Sequence, residues 1–129
     1  MNNRIAILSD IHGDTTALKA VIADARALGA TEYWLLGDIL LPGPGREDLF
    51  ELLDAIPITA AVRGNWDDCV LEALDGEYGL EDPQEIQLLR LTQYLMEGLD
   101  PKRIDWLRSL PLVEKKEVNG IRFSLTHNL

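Results

Sequence analysis

Three short apolar runs, Ile5-Ala6-Ile7-Leu8, Tyr33-Trp34-Leu35-Leu36 and Ile58 to Val62, each stop at a small polar cluster: Ser9-Asp10-Ile11-His12-Gly13-Asp14, Gly37-Asp38 and Arg63-Gly64-Asn65-Trp66-Asp67. Runs this short and this continuously apolar, bounded by Gly and Asp, read as strands buried on both faces. Between the first two, Leu18, Val21, Ile22, Ala25 and Leu28 recur at helical spacing. Asp14 is suited to cap that helix and Gly29 to close it. Pro42-Gly43-Pro44-Gly45 forces a loop before Arg46 to Ala55, which reads as a second short helix. Strand, helix, strand, helix, strand predicts an α/β fold, a parallel βαβαβ sheet with helices on its faces and a ligand site beyond the carboxyl ends of the strands. All three polar clusters fall at such ends.

Beyond Asp67 the pattern changes. Asp68 to Leu74 reads as a short helix, Asp75 to Asp82 as an acidic loop, and Leu88, Leu91, Leu95, Met96 and Leu99 mark a longer helix. Pro101 to Leu110 predicts one more, with proline in its first turn. Leu112 to Val118 and Ile121 to Thr126 flank Asn119-Gly120, a strong hairpin signal. The 129 residues suit one domain, 1–129, made of a 1–67 core, a 68–111 helical segment and a 112–127 hairpin.

With 22 acidic and 12 basic residues the formal charge is −10, which repels a polyphosphate backbone and disfavours long nucleic acid as a partner. The single Cys69 cannot form an internal disulfide, and no stretch reads as a secretory signal or has the length to span a membrane. The expectation is a cytoplasmic protein without a membrane partner.

The polar clusters carry the chemistry. Asp10 and His12 flank Ile11, so extended backbone would turn both side chains to one side and let them chelate a cation. Asp38 follows a glycine and offers a carboxylate able to bridge two metals; Asn65 offers an amide oxygen and His127, after the last strand, an imidazole. Nitrogen and oxygen donors without thiolate favour manganese, iron or zinc over calcium. Each piece alone has a plainer reading, since Asp-Xaa-His arises by chance, Gly-Asp is a common turn pair, and Trp66 and Cys69 suit packing. Their arrival in order, each at a strand end, favours a site.

At these residues the chain resembles the calcineurin-like metallophosphoesterases, in their small bacterial and archaeal phosphodiesterase branch, whose motifs run Asp-Xaa-His, Gly-Asp, Gly-Asn-Xaa-Asp and then a His. The resemblance implies two divalent metals, manganese first with iron, zinc and nickel as alternatives. One is held by Asp10, His12 and Asp38, the other by Asp38, Asn65 and His127. It implies Asp38, Asn65 and Asp67 in catalysis and Arg63, Asn65 and Trp66 toward a small phosphorylated substrate. The reaction would be hydrolysis of phosphodiesters, activated phosphoesters or nucleotide phosphoanhydrides by a hydroxide between the metals. Two departures stand out. Trp66 occupies the place where the family commonly has a proton-donating His, and the family's later Gly-His-Xaa-His has no counterpart, since the chain has 2 His. The chain thus looks like the amino-terminal half of such a fold, a half-sandwich ending in a hairpin. The rival reading is an impaired fragment that serves as a self-association or partner-binding module. Ile121, Phe123 and Leu125 share one face of the last strand, which predicts a homo-oligomer joined through the Val113 to Leu125 hairpin.

Overall fold

A computed structural model of the chain describes residues 3–128. Strands β1 (Ile5–Leu8), β2 (Glu32–Leu35) and β3 (Ile58–Ala61) form a parallel sheet in the order β1-β2-β3. Ile7 lies opposite Trp34 and Leu8 opposite Leu35, and a bulge at Tyr33/Trp34 shifts the register before Trp34 meets Ala60. Helices α1 (Thr15–Ala27) and α2 (Glu47–Asp54) make the crossovers. The Asp14 side chain accepts the Ala17 amide hydrogen at 2.9 Å to start α1. Gly29, at φ 82°, closes it, its N–H and that of Ala30 reaching back to the Arg26 and Ala25 carbonyls.

The period-2 alternation of β2 divides the molecule. Tyr33 and Leu35 point into the large core with Leu18, Ile22, Leu49, Phe50 and Leu53, whereas Trp34 points the other way, into a small cluster with Ala60, Val62 and Leu125. Helices α3 (Asn65–Leu74), α4 (Pro83–Glu97) and α5 (Pro101–Ser109) add Val70, Leu95 and Leu107 to the large core. The helices therefore share one face of the sheet rather than both. The opposite face carries the hairpin of β4 (Val113–Val118) and β5 (Ile121–Thr126), turned at Asn119 and Gly120, both at positive φ. The chain has the expected mixed α/β architecture, a parallel sheet and a carboxyl-terminal antiparallel hairpin.

Two elements differ from expectation. Helix α3 begins at Asn65 rather than Asp68, because the Asp67 carboxylate turns back to accept the Gly64 amide hydrogen at 2.9 Å and so caps the helix one turn earlier. The apolar face of β5 is only partly bare. Leu125 is buried and the Phe123 ring meets Trp34 edge to face at 5.5 Å, while Ile121 stays exposed. Side chains pin β4 to the free edge of β3, with Glu114 accepting from the Ala61 amide and Lys116 donating to the Thr59 carbonyl, each at 3.1 Å. No helix of the described residues is long and apolar enough to cross a membrane.

Arg103 locks α5 to α2. Its guanidinium donates to Glu47 at 2.8 Å and Asp54 at 2.7 Å and lies 5.0 Å from the centre of the Phe50 ring. The hydrogen bonds from Arg103 hold both carboxyls below their ordinary values. Depressed carboxyls stabilise the fold above the unfolded-state values and lose that contribution as pH falls. Arg103→Met removes the guanidinium with its two ion pairs and its place over Phe50, so it should cost about 1 kcal/mol at pH 7, as a small ion-pair network does. In urea unfolding the deficit should shrink once pH falls below about 4; an equal deficit at both pH values would assign the contribution to packing.

Candidate metal centre

The loops after β1 and β2 are pegged together by their backbones. Asp10 N donates to Gly37 O at 3.0 Å, His12 N to Asp38 O at 2.8 Å and Gly13 N to Ile39 O at 2.9 Å. The backbone at Asp10 and His12 is not extended, as the alternation argument assumed, but left-handed, with φ of 58° and 51°. Asp38 and Leu41 also have positive φ, so four of the five such non-glycine residues among those described lie in these two loops. Left-handed backbone at non-glycine residues costs on the order of 1 kcal/mol each and persists only where surrounding bonds enforce it. Here it aims the side chains of Asp10, His12 and Asp38 at a common point: one donor atom from each lies within 4.8 Å of the others.

Asp38 is the centre of the arrangement. It is buried, and its Oδ1 accepts the amide hydrogen of Trp66 at 2.9 Å, in the first turn of α3, where the helix dipole favours an anion. Its Oδ2 is left facing two imidazoles, His12 Nε2 at 3.5 Å and His127 Nε2 at 3.3 Å. Both rings are oriented from behind. His12 Nδ1 donates to the Leu41 carbonyl at 2.9 Å, and His127 Nδ1 donates to the Leu36 carbonyl at 2.6 Å. A carbonyl has no hydrogen to give, so the ring hydrogen is on Nδ1 in each neutral ring and the Nε2 lone pair points inward. What it meets are acceptors only: Asp10 Oδ1 at 3.2 Å and Asp38 Oδ2 for His12, Asn65 Oδ1 at 3.1 Å and Asp38 Oδ2 for His127.

Lone pairs converging on lone pairs are reconciled by a proton on an imidazole or by a metal cation between them. The donor set of two carboxylates, an amide oxygen and two imidazoles, without thiolate, fits divalent ions of the manganese, iron and zinc kind. Asp10, His12 and Asp38 could hold one ion and Asp38, Asn65 and His127 a second, with Asp38 Oδ2 common to both. The Ser9 hydroxyl donates to Asp10 Oδ2 at 2.6 Å, and this hydrogen bond holds the Asp10 carboxyl below its ordinary value against the opposing effect of burial.

Asp67 does not face the point where Asp10, His12 and Asp38 converge. Its carboxylate is fully buried beneath the rim and accepts three backbone amide hydrogens, from Asp38 at 2.8 Å, Ile39 at 2.9 Å and Gly64 at 2.9 Å. Burial pushes its carboxyl up, the three amides oppose this, and the nearby Asp38 charge adds to the rise. Its link to the site is the Asp38 amide hydrogen that it accepts. Arg63 also turns away from the centre: its guanidinium is held by Asp68 at 2.6 Å and by the carbonyls of Arg108 and Leu110. Trp66 is half-buried beside the centre, its ring perpendicular to that of His12 with centroids 5.8 Å apart. The carbonyls of Leu36 and Leu41 do work that no side-chain pattern announces, because any residue can supply a carbonyl.

Carboxylates and an imidazole on the loops beyond a parallel sheet, met by the imidazole that follows the hairpin, define a candidate divalent-metal site. The chain belongs to the calcineurin-like phosphoesterase family, whose sequence model matches residues 3–129. It is 30% identical to the uncharacterized protein MJ0912 of Methanocaldococcus jannaschii over 98% of this chain and 50% of that protein. Among solved structures it is similar to a metallophosphoesterase from Sphaerobacter thermophilus, at 31% identity and a TM-score of 0.63 over 88% of this chain and 44% of that one. The hypothetical protein PH1004 of Pyrococcus horikoshii OT3 shares the fold at 22% identity, with a TM-score of 0.68 over 93% of this chain and 52% of that one. The chain spans about half the length of these relatives.

Replacing Asp67 by Asn leaves at least one of three buried amides facing an amino group. Asp67→Asn should cost on the order of 3 kcal/mol and lower the urea midpoint by about 1 M or more. An unchanged midpoint would show that the carboxylate does not clamp these loops.

Proposed function

We propose that this chain carries the metal-binding part of a divalent-metal phosphoesterase that hydrolyses phosphodiesters, activated phosphoesters or nucleotide phosphoanhydrides. The observation that supports it most is the Oδ2 atom of Asp38, buried and faced by the Nε2 atoms of two imidazoles, His12 at 3.5 Å and His127 at 3.3 Å. Asp10, His12 and Asp38 are the proposed ligands of one ion, and Asp38, Asn65 and His127 those of the other, with manganese the first choice. When bound, the ions supply Lewis acidity that neutralises charge gathering on the phosphoryl oxygens and makes a water acidic at neutral pH.

The chain's own groups set the remaining terms. The Trp66 amide at the α3 amino terminus holds Asp38 Oδ1, and the Leu36 and Leu41 carbonyls orient both imidazoles with Nε2 toward the centre. Trp66 offers no acidic proton, and Asp67 is occupied by amides. No side chain proposed here protonates a leaving oxygen, so substrates whose leaving group is already stable as an anion should be favoured over alkyl monoesters.

If Asp38 is shared, Asp38→Asn should weaken manganese binding about tenfold more than Asn65→Ala, a difference within the range seen when groups around a metal are altered. Titration calorimetry on the two variants decides it, and equal losses would end the bridging assignment. Trp66→His should raise turnover of an alkyl phosphoester roughly a hundredfold while leaving an activated aryl ester nearly unchanged, because general-acid help matters where the leaving group needs it. Equal gains on both substrates would remove the leaving-group argument.

A further inference from the structure

Helix α4 places Gln84, Gln87, Leu88 and Leu91 on one side, at the i, i+3, i+4, i+7 spacing of a single face. Farther along the same side, Leu95 is fully buried and Thr92 nearly so, and the helix is sealed against the core. Nearer its amino end the face does not close on its neighbour. It borders a groove of about 370 Å³ whose other wall is Trp66 and Cys69, one turn apart on α3.

The groove adjoins the metal centre through one residue. Trp66 forms its wall, its amide holds Asp38 Oδ1 at 2.9 Å, and its ring stands edge-on to the His12 imidazole at 5.8 Å. The lining has a flat indole, two leucines and two carboxamides, and no charged side chain. It cannot recognise a phosphate, which on a chain of net charge −10 needs the cations. It suits the neutral, planar end of a molecule whose phosphate is elsewhere. Neither glutamine side chain hydrogen-bonds to another described residue, and each carboxamide offers both donor and acceptor, the pairing that a purine or pyrimidine edge presents. Aromatic stacking of a base is worth about tenfold or more in affinity.

We propose that the groove between α3 and α4 binds the nucleobase of a nucleotide whose phosphate is held at the metal centre, with Trp66 as the stacking surface and Gln84 and Gln87 reading the base edge. This rests on the phosphoesterase reading above, but its test does not.

Metal-free protein labelled with nitrogen-15 is titrated with adenosine while the indole N–H resonances are followed. The expected result is a saturable shift of Trp66 at millimolar adenosine, with Trp34 and Trp106 unmoved and ribose without effect. Leu91→Trp, which fills the groove, and Gln87→Ala, an exposed change that leaves the fold intact, should each weaken the apparent affinity at least about threefold. A Trp66 resonance that does not move, that moves equally with ribose, or whose titration Gln87→Ala leaves unchanged would overturn the proposal. Adenosine 5′-monophosphate in excess manganese should bind at least about tenfold tighter than adenosine. Failure of that step alone, with the adenosine shift present, would count against the metal-centre reading and leave the groove standing.

Discussion

The buried carboxylate of Asp67, shared among the amides of Asp38, Ile39 and Gly64, is the contact on which the rim of this sheet depends. It belongs to α3, and two of its three partners belong to the loop after β2. The helix and the loop are therefore joined by charge-assisted hydrogen bonds in a dry place, where such bonds are strong and their loss is expensive. Two glycines permit the approach. A Cβ on Gly37, already at φ 90°, would come within 2.5 Å of the Gly64 nitrogen, and a Cβ on Gly64 would strike Asp38 itself. Once the helix is fixed, the Trp66 amide finds Asp38 Oδ1 and only Oδ2 remains to face outward.

The first loop answers to a different constraint. Leu36 continues the pairing of β2 with β1 by donating its amide hydrogen to Leu8 O, and the chain beyond β1 then keeps bonding to the loop beyond β2. Because that second loop turns at Gly37, the first must turn with it, and Asp10 and His12 take left-handed backbone to do so. Aspartate and histidine are among the residues that tolerate this region best. The residue types that ligate a metal are also the types that the local geometry can accept.

This division explains what could be read from the chain alone. The strands were legible from apolar runs that end abruptly, the hairpin from Asn119-Gly120, and the proposed ligands from polar clusters at strand ends. The start of α3 was not, because Gly64 is a cap only once Asp67 has its other two amides, and those come from a distant loop. The placement of all the helices on one face was illegible too: Tyr33, Trp34 and Leu35 are equally apolar, and nothing in them says which side receives helices and which receives the hairpin. Arg63 looked like a substrate contact by its position in a motif, yet its neighbours in space are Asp68 and the end of α5.

The hairpin has a consequence for the order of events at the rim. Asp10, His12 and Asp38 are carried by loops that the parallel sheet holds directly, whereas His127 arrives on the end of β5, whose hold on the sheet is Leu125, the Phe123 ring, a few side-chain bonds from β4 and the bond of His127 itself to the Leu36 carbonyl. Elements with little buried surface open more readily than the core. Any fraction of time the hairpin spends undocked is subtracted from the affinity of whatever His127 helps to hold. An ion held in part by His127 would add to the Leu36 bond and fasten the end of β5 to the loop beyond β2, a brace between hairpin and sheet that tightens with occupancy.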